Sequence, residues 1–318
     1  MDGSTDAIDL LVIGDANPDV VVQGMPHDIQ YGQVEQLVET GCLTIGGSAA
    51  IFACAATRLG LRTALVAVLG DDPAGRFMLD ELRAHDVDVS GCRTVPHVPT
   101  GTTVCLVRHG DRAILTSQGA ILLLSEEMVG RALLRCARHV HVSSFFLLPN
   151  LAPGLRGLLD EARAAGAGTS LDTNWDPSQR WNGGVHAALP AVDVLLVNET
   201  EALALSGGSQ IETAVATLAA QGPMPVIKRG AEGALAYSEG HVVRTYALPV
   251  TVADAIGAGD SFNAGFLYGR LNEWPIERCL ALGVACGSLS TRAVGGTTAQ
   301  PTLAEAVAAM EAASGPRR

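Results

Sequence analysis

Between Ser125 and Lys228 short apolar runs and helically spaced stretches take turns along the chain. Residues 139–143, 169–172, 194–198 and 225–228 read as strands, and 126–137, 152–165, 199–206 and 211–220 as helices. A parallel pair needs a crossover connection, so strict alternation of this kind predicts a parallel sheet covered by helices on both faces. The rest of the chain is consistent with that body. Residues 9–14 form an apolar first strand, Val20 to Gly24 another and 63–69 a third. Gly46-Gly47-Ser48 opens a helix that Gly60 stops, Asp72-Pro73 opens a second, and further helices are expected near 260–272, 276–292 and 303–313.

Two β-rich pieces, about 16–45 and 95–118, interrupt this α/β body. Within them 25–45 reads as irregular, while 102–108 and 112–116 read as a hairpin around His109-Gly110-Asp111. The two pieces are expected to pair into a small sheet, a lid over the C-terminal strand ends, where open α/β sheets bind ligands. No repeat or linker is visible, so residues 1–318 are expected to form a single domain with the lid segments inserted.

The residues 252–262, Val-Ala-Asp-Ala-Ile-Gly-Ala-Gly-Asp-Ser-Phe, follow an extended run (241–250) and precede apolar helical spacing at Phe262, Phe266, Leu267 and Leu271. A Gly-rich turn entering a helix leaves backbone N–H groups without intrahelical partners, and the helix dipole adds positive charge there. Small residues at Gly257, Ala258 and Gly259 let an anion approach that backbone. Asp260 stands in the first turn, where a carboxylate beside a phosphate cradle suits a base that takes a proton from an attacking hydroxyl. Read alone, a G-x-G before a helix is more often only a cap.

Composition excludes several rivals. The net charge of −12 is spread without basic patches, which argues against nucleic acid. The single lysine, Lys228, has no Gly-Lys-[Ser/Thr] setting, so no P-loop is present, and no G-x-G-x-x-G follows the first strand. Seven cysteines without a C-x-x-C pair speak against disulfides or zinc and for a cytoplasmic protein. There is no basic, cleavable leader and no charge-free run long enough to span a membrane. His139 and His141 share a strand face, and without a third ligand nearby they read as strand packing or a pocket edge.

The string from Asp254 to Phe262, D-A-I-G-A-G-D-S-F, resembles the C-terminal signature of the ribokinase-like (PfkB-type) carbohydrate kinase family, and the resemblance runs from about residue 9 to about 303. It implies an α/β fold, a ribokinase-like three-layer sandwich with a mostly parallel central sheet and a small β-sheet lid. It implies an ATP- and Mg2+-dependent phosphotransferase, with Asp260 as general base and Gly257, Ala258 and Gly259 as the anion hole. Asp254 and Ile256 match positions where the family holds a monovalent cation such as K+.

The same resemblance makes Gly14-Asp15-x-Asn17-x-Asp19 the sugar-contacting strand end, with an ionised Asp19 accepting from sugar hydroxyls and Asn17 beside it. Gly46 and Gly47 match a diglycine whose amides reach the sugar, but Ile51 stands where the family commonly carries asparagine. That departure points to a less polar or differently hydroxylated acceptor. Asn198 and Glu201 match an N-x-x-E motif that organises Mg2+ through water, with Asn198 also a helix cap. Lys228, Gly230 and Gly233 match a turn approaching the nucleotide, Asn174 a segment beside its phosphates, and Val284 stands where an asparagine often meets adenine. Ser143 and Ser144 end a strand near substrate, and Trp175 and Trp181 either stack on a base or pack on a loop. A nucleoside (adenosine-like) kinase and a non-catalytic sugar- or nucleotide-binding relative are the alternatives. The expected partners are a small sugar or nucleoside and, through the open lid edge, a second copy in a homodimer.

Overall fold

The computed structural model describes residues 8–26, 28–108 and 111–314. Eight strands form the large sheet in the order His241–Thr245, Ala234–Ser238, Met224–Lys228, Val194–Asn198, Gly168–Asp172, Ala137–Val142, Ile8–Ile13 and Thr63–Val66. The six strands from Met224–Lys228 to Thr63–Val66 are parallel, and the two at the other edge join antiparallel. Their apolar runs are buried on both sides, as alternation with helices requires. One core, including Leu10, Val12, Phe52 and Phe266, lies on one face; the other includes Leu11, Ile13, Val140 and Leu171. Adjacent residues of the first strand therefore feed opposite cores, as the period of two dictates. Each parallel strand delivers its C-terminal residue to the same edge, and the polar groups of the site gather there.

The two β-rich pieces do pair, in a separate sheet ordered Thr40–Gly46, Asn17–Gln23, Thr102–Arg108 and Asp111–Ser117. The 102–108 hairpin is antiparallel as expected, with its tip residues His109 and Gly110 outside the described set. The part of 25–45 read as irregular includes a full strand, Thr40–Gly46, which pairs antiparallel with Asn17–Gln23. Its residues up to Leu43 are exposed, so the sequence carries no alternating apolar signal. Asn17 and Asp19 lie inside a strand, not in a loop past the first one.

Other boundaries differ for local reasons. The expected single strand at 63–69 breaks at Ala67: Thr63–Val66 stays in the large sheet, while Val68–Gly70 pairs with Arg93–Val95. The expected helix 126–137 is a 3-10 turn, Glu126–Met128, then a short helix, Arg131–Cys136, because Gly130 is extended between them. The expected 152–165 helix shortens to Leu155–Ala164, and the extended run after 241 ends at Thr245. The tail 315–318 lies outside the described residues. Among the described residues no helix is long and apolar enough to cross a membrane, and all seven cysteines are free.

Candidate active site

Helix Ala258–Leu271 starts at Gly257, whose φ of 72° is a left-handed conformation that glycine adopts at little cost. A side chain there would also collide, since an added Cβ would lie 2.8 Å from both Gly296 O and Ile51 Cγ2. Ile51 thus packs beneath this loop, and a Cβ on Gly296 would meet its Cδ1 at 2.5 Å. Ala258 N reaches Ala255 O at 3.3 Å, while Gly259 and Asp260 follow in the first turn, where N–H groups lack intrahelical acceptors.

Asp260 is partly exposed at this helix start and accepts a hydrogen bond from Ser48 Oγ. Ser48 begins helix Ser48–Arg58 after Gly47, whose φ is 82°. That helix has no cap from its own N-cap residue; Asp15 supplies one from the end of the first strand. Its two oxygens accept from Ser48 N (3.1 Å) and Ala49 N (3.0 Å). Asp15, quoted only as part of a motif in the sequence, therefore ties the first strand to the diglycine helix.

Asp19 faces the same place. A Cβ on Gly46 would sit 1.8 Å from Asp19 Oδ1, so that carboxylate occupies space only glycine leaves open. Asn17 Nδ2 donates to Asp19 Oδ1 at 3.1 Å and to Thr103 Oγ1 at 3.0 Å, joining the small sheet to the cluster. Burial, then the charges of Asp15 and Asp260, pushes the Asp19 carboxyl up to about 8. The expectation of an ionised Asp19 thus meets surroundings that favour its neutral form at pH 7. Burial and the Asp172 charge likewise push Asp260 up to about 7, against the lowering effects of Ser48 and Lys228.

On the other side of Asp260 stands a buried ion pair that the motifs did not announce. Lys228 Nζ lies 2.7 Å from Asp172 Oδ2, with side chains only 15 % and 5 % exposed. Asn263 Nδ2 donates to the same oxygen at 2.6 Å, and a Cβ on Gly259 would lie 3.5 Å from Lys228 Nζ. The pair thus links two strand ends to helix Ala258–Leu271. Burial opposes ionisation of Asp172, but Lys228, with help from His141 and Asn263, holds the carboxyl below its usual value. A lone lysine at a strand end was one available signal for this pair; Asn263 gave none.

Glu201 closes a capping box with Asn198: Asn198 Oδ1 accepts from Glu201 N, and Glu201 Oε2 accepts from Asn198 N, both at 2.9 Å. Asn198 Nδ2 donates to Glu201 Oε1 at 2.6 Å. Burial and the Asp172 charge push Glu201 up to about 7. Asn174 is left-handed (φ 55°), donates from Nδ2 to Ser144 Oγ at 3.2 Å and from its backbone to Asp172 Oδ1 at 2.8 Å. Asp254 is buried and accepts from Ile256 N and Gly295 N, each at 3.0 Å.

A cleft of about 1060 Å³ opens beside these groups, lined by Lys228, Gly230, Gly233, Gly259 and Val284 among others. Gly233, at φ 88°, lets its backbone pass Thr245 O, which an added Cβ would meet at 2.0 Å. Trp175 and Trp181 lie in edge contact at 5.1 Å, and Trp181 meets Phe146 at 5.5 Å, so they pack on a loop. His139 Nε2 and His141 Nδ1 both contact Ser170 Oγ at 2.8 Å. The sequence-derived residues therefore fall into five groups: Asn17, Asp19 and Gly46; Gly47 and Gly257 to Asp260 with Ile51; Lys228, Gly230 and Gly233 at the cleft; Asn174, Asn198 and Glu201 near Asp172; and Asp254 with Ile256 just before the turn.

Comparison with known proteins bears on the family and the fold. The family model described as pfkB family carbohydrate kinase matches residues 7–303. A fructokinase from Klebsiella pneumoniae is 32% identical over 274 residues, covering 80% of this chain and 88% of its own. The solved structure of a putative ribokinase II from E. coli in complex with ATP and Mg2+ superposes with a TM-score of 0.84 at 25% identity, covering 96% and 99% of the two chains. Ribokinase from Arabidopsis thaliana, complexed with ribose and ATP, gives 0.82 at 25% identity over 96% and 99%. With a family match over nearly the whole sequence and the same fold in these structures, this chain belongs to the pfkB family of carbohydrate kinases.

Proposed function

We propose that the chain transfers the γ-phosphoryl group of ATP to a hydroxyl of a small sugar, with Asp260 as the base. The observation that carries this reading is the position of Asp260 between a polar cluster (Asp19, Asn17, Ser48) and the Lys228-lined cleft, already in contact with a hydroxyl group. An acceptor hydroxyl on the polar side and a nucleotide in the cleft would meet over Gly257–Gly259. Asp260 takes the acceptor proton, while helix-start amides and Lys228 face the negative charge that develops on the transferring group. The small sheet excludes water from that junction. Asn17 and Asp19 orient sugar hydroxyls, and the open passage at Gly46 keeps the Asp19 carboxylate in place.

The residues fit the groups this chemistry needs. Gly230 leaves its backbone open, Gly233 lets the 245–247 backbone close up as the cleft wall, and the cleft volume suits a nucleotide. Glu201, Asn198 and Asn174 lie near the Asp172–Lys228 pair and suit Mg2+ held through water, which neutralises phosphate charge when bound. Asp254 fits K+ as a buried carboxyl group whose hydrogen bonds come from the neutral backbone amides of Ile256 and Gly295, with Ile256 the second position the resemblance assigns to that ion. The small sheet ends in two open edges with Leu43, Ile114 and Leu115 more than half exposed, which suits a homodimer.

An acceptor screen with ATP, Mg2+ and K+ against hexoses, pentoses and nucleosides tests this reading. ATP consumption with a sugar is expected. Turnover with nucleosides alone would replace the acceptor class, and no turnover with any acceptor would remove the catalytic reading. Omitting K+ tests the Asp254 site.

A further inference from the structure

The residue touching the base comes from helix Ser48–Arg58; two contacts hold its hydroxyl and a third holds its backbone N–H. Ser48 N is fixed by Asp15 at 3.1 Å, Ser143 Oγ donates to Ser48 Oγ at 2.9 Å, and Ser48 Oγ donates to Asp260 Oδ1. Ser143 is fully buried, with its N–H bonded to Ile13 O at 3.0 Å. The close approach depends on Gly14, where a Cβ would meet Ala49 Cβ at 2.6 Å and Ser143 O at 2.8 Å. Three segments of the fold thus converge to present one hydroxyl chain to a single carboxylate oxygen.

We propose that Ser48, backed by Ser143, is a positioning residue that pins Oδ1 of Asp260 so that Oδ2 is left to face the acceptor hydroxyl. The inference rests on the reading of Asp260 as base. A donor aligned by a second donor is polarised by it and binds an ionised carboxylate more strongly. The relay also favours the ionised form of Asp260 against surroundings that push its carboxyl up. Asp172 and Lys228 face it from two strand ends, Asp15 from the end of the first strand and Asp19 from the small sheet. Burial and the two aspartates at 172 and 15 oppose ionisation, while Lys228 and Ser48 favour it.

The test compares Ser48→Ala, Ser48→Thr, Ser143→Ala and Asp260→Asn as full-length protein, using the sugar that the acceptor screen identifies. For Ser48→Ala the acid limb of kcat/KM is expected to move up by about one pH unit and kcat to fall about tenfold, with KM for ATP unchanged. Ser48→Thr should restore both, and Ser143→Ala should move the limb in the same direction by less. The ligand-free proteins supply a second readout: the pH dependence of unfolding, referenced to Asp260→Asn, should show the same displacement for Ser48→Ala. An unmoved limb and an unmoved unfolding profile in Ser48→Ala would overturn the proposal even if Tm falls. Undiminished turnover in Asp260→Asn would instead overturn the base assignment, so the two failures are distinguishable.

Discussion

Replacing Lys228 with methionine removes the cation that faces three carboxylates, those of Asp172, Glu201 and Asp260. At 2.7 Å and an effective dielectric constant of 20, the Lys228–Asp172 attraction is of order 6 kcal/mol before desolvation is subtracted. What matters on mutation is the carboxylate left behind. Asp172 is 5 % exposed and would retain only neutral donors such as Asn263 and the backbone of Asn174. Breaking a buried pair from one side costs about 3–5 kcal/mol, a large part of the 5–15 kcal/mol that typically separates folded from unfolded chains. Urea unfolding at pH 8, followed by circular dichroism, should therefore show a midpoint much lower for Lys228→Met. The double variant Asp172→Asn/Lys228→Met should recover most of the loss, because neither charge then remains. The pH dependence has a definite sign. The folded-state pKa of Asp172 is lowered, so its contribution is present above the unfolded carboxylate value and fades as pH falls through the folded one. Lys228→Met should lack that acid-side fade. A cost below about 1 kcal/mol, or a double variant no more stable than the single one, would refute the reasoning.

Three other outcomes are expected. Asp260→Asn should cut kcat by at least ~10^2 yet raise Tm, and wild-type kcat/KM should fall below about pH 7 as Asp260 is protonated. The stability sign follows from the raised folded-state pKa: Asp260 loses stabilising influence as pH climbs from the unfolded carboxylate value towards about 7, and an amide escapes that cost. Gly46→Ala, with its Cβ 1.8 Å from Asp19 Oδ1, should raise the acceptor KM and spare that of ATP; steady-state kinetics with each substrate varied will separate the two. Gly233→Ala should do the opposite, raising the KM for ATP, because its Cβ would lie 2.0 Å from Thr245 O at a left-handed φ of 88°.

The elements that sequence reading located best were those whose periodicity is local. Apolar strands taking turns with helices between Gly168 and Ala219 carry their own pattern, and for helix Glu199–Ser206 the ends are marked by Asn198 through capping and Gly207 through backbone conformation. Strand Thr40–Gly46 was invisible because its partner lies 17 or more residues away and most of its side chains face water. The break at Ala67 was equally hidden, since both halves of 63–69 are apolar and only different partners divide them.

The same division runs through the site. The sequence determined the Gly-rich turn at Gly257–Gly259, the helix whose first turn holds Asp260, and the capping box of Asn198 and Glu201, because each is built from residues within a few positions of one another. Only the tertiary structure decided that Ser48 touches Asp260, that Asp15 caps a helix 33 residues away, and that Lys228 neutralises Asp172 across 56 residues. Those contacts exist because parallel strands deliver their C-terminal ends to one edge of the sheet. Proximity there is set by strand order, which no local window of sequence contains.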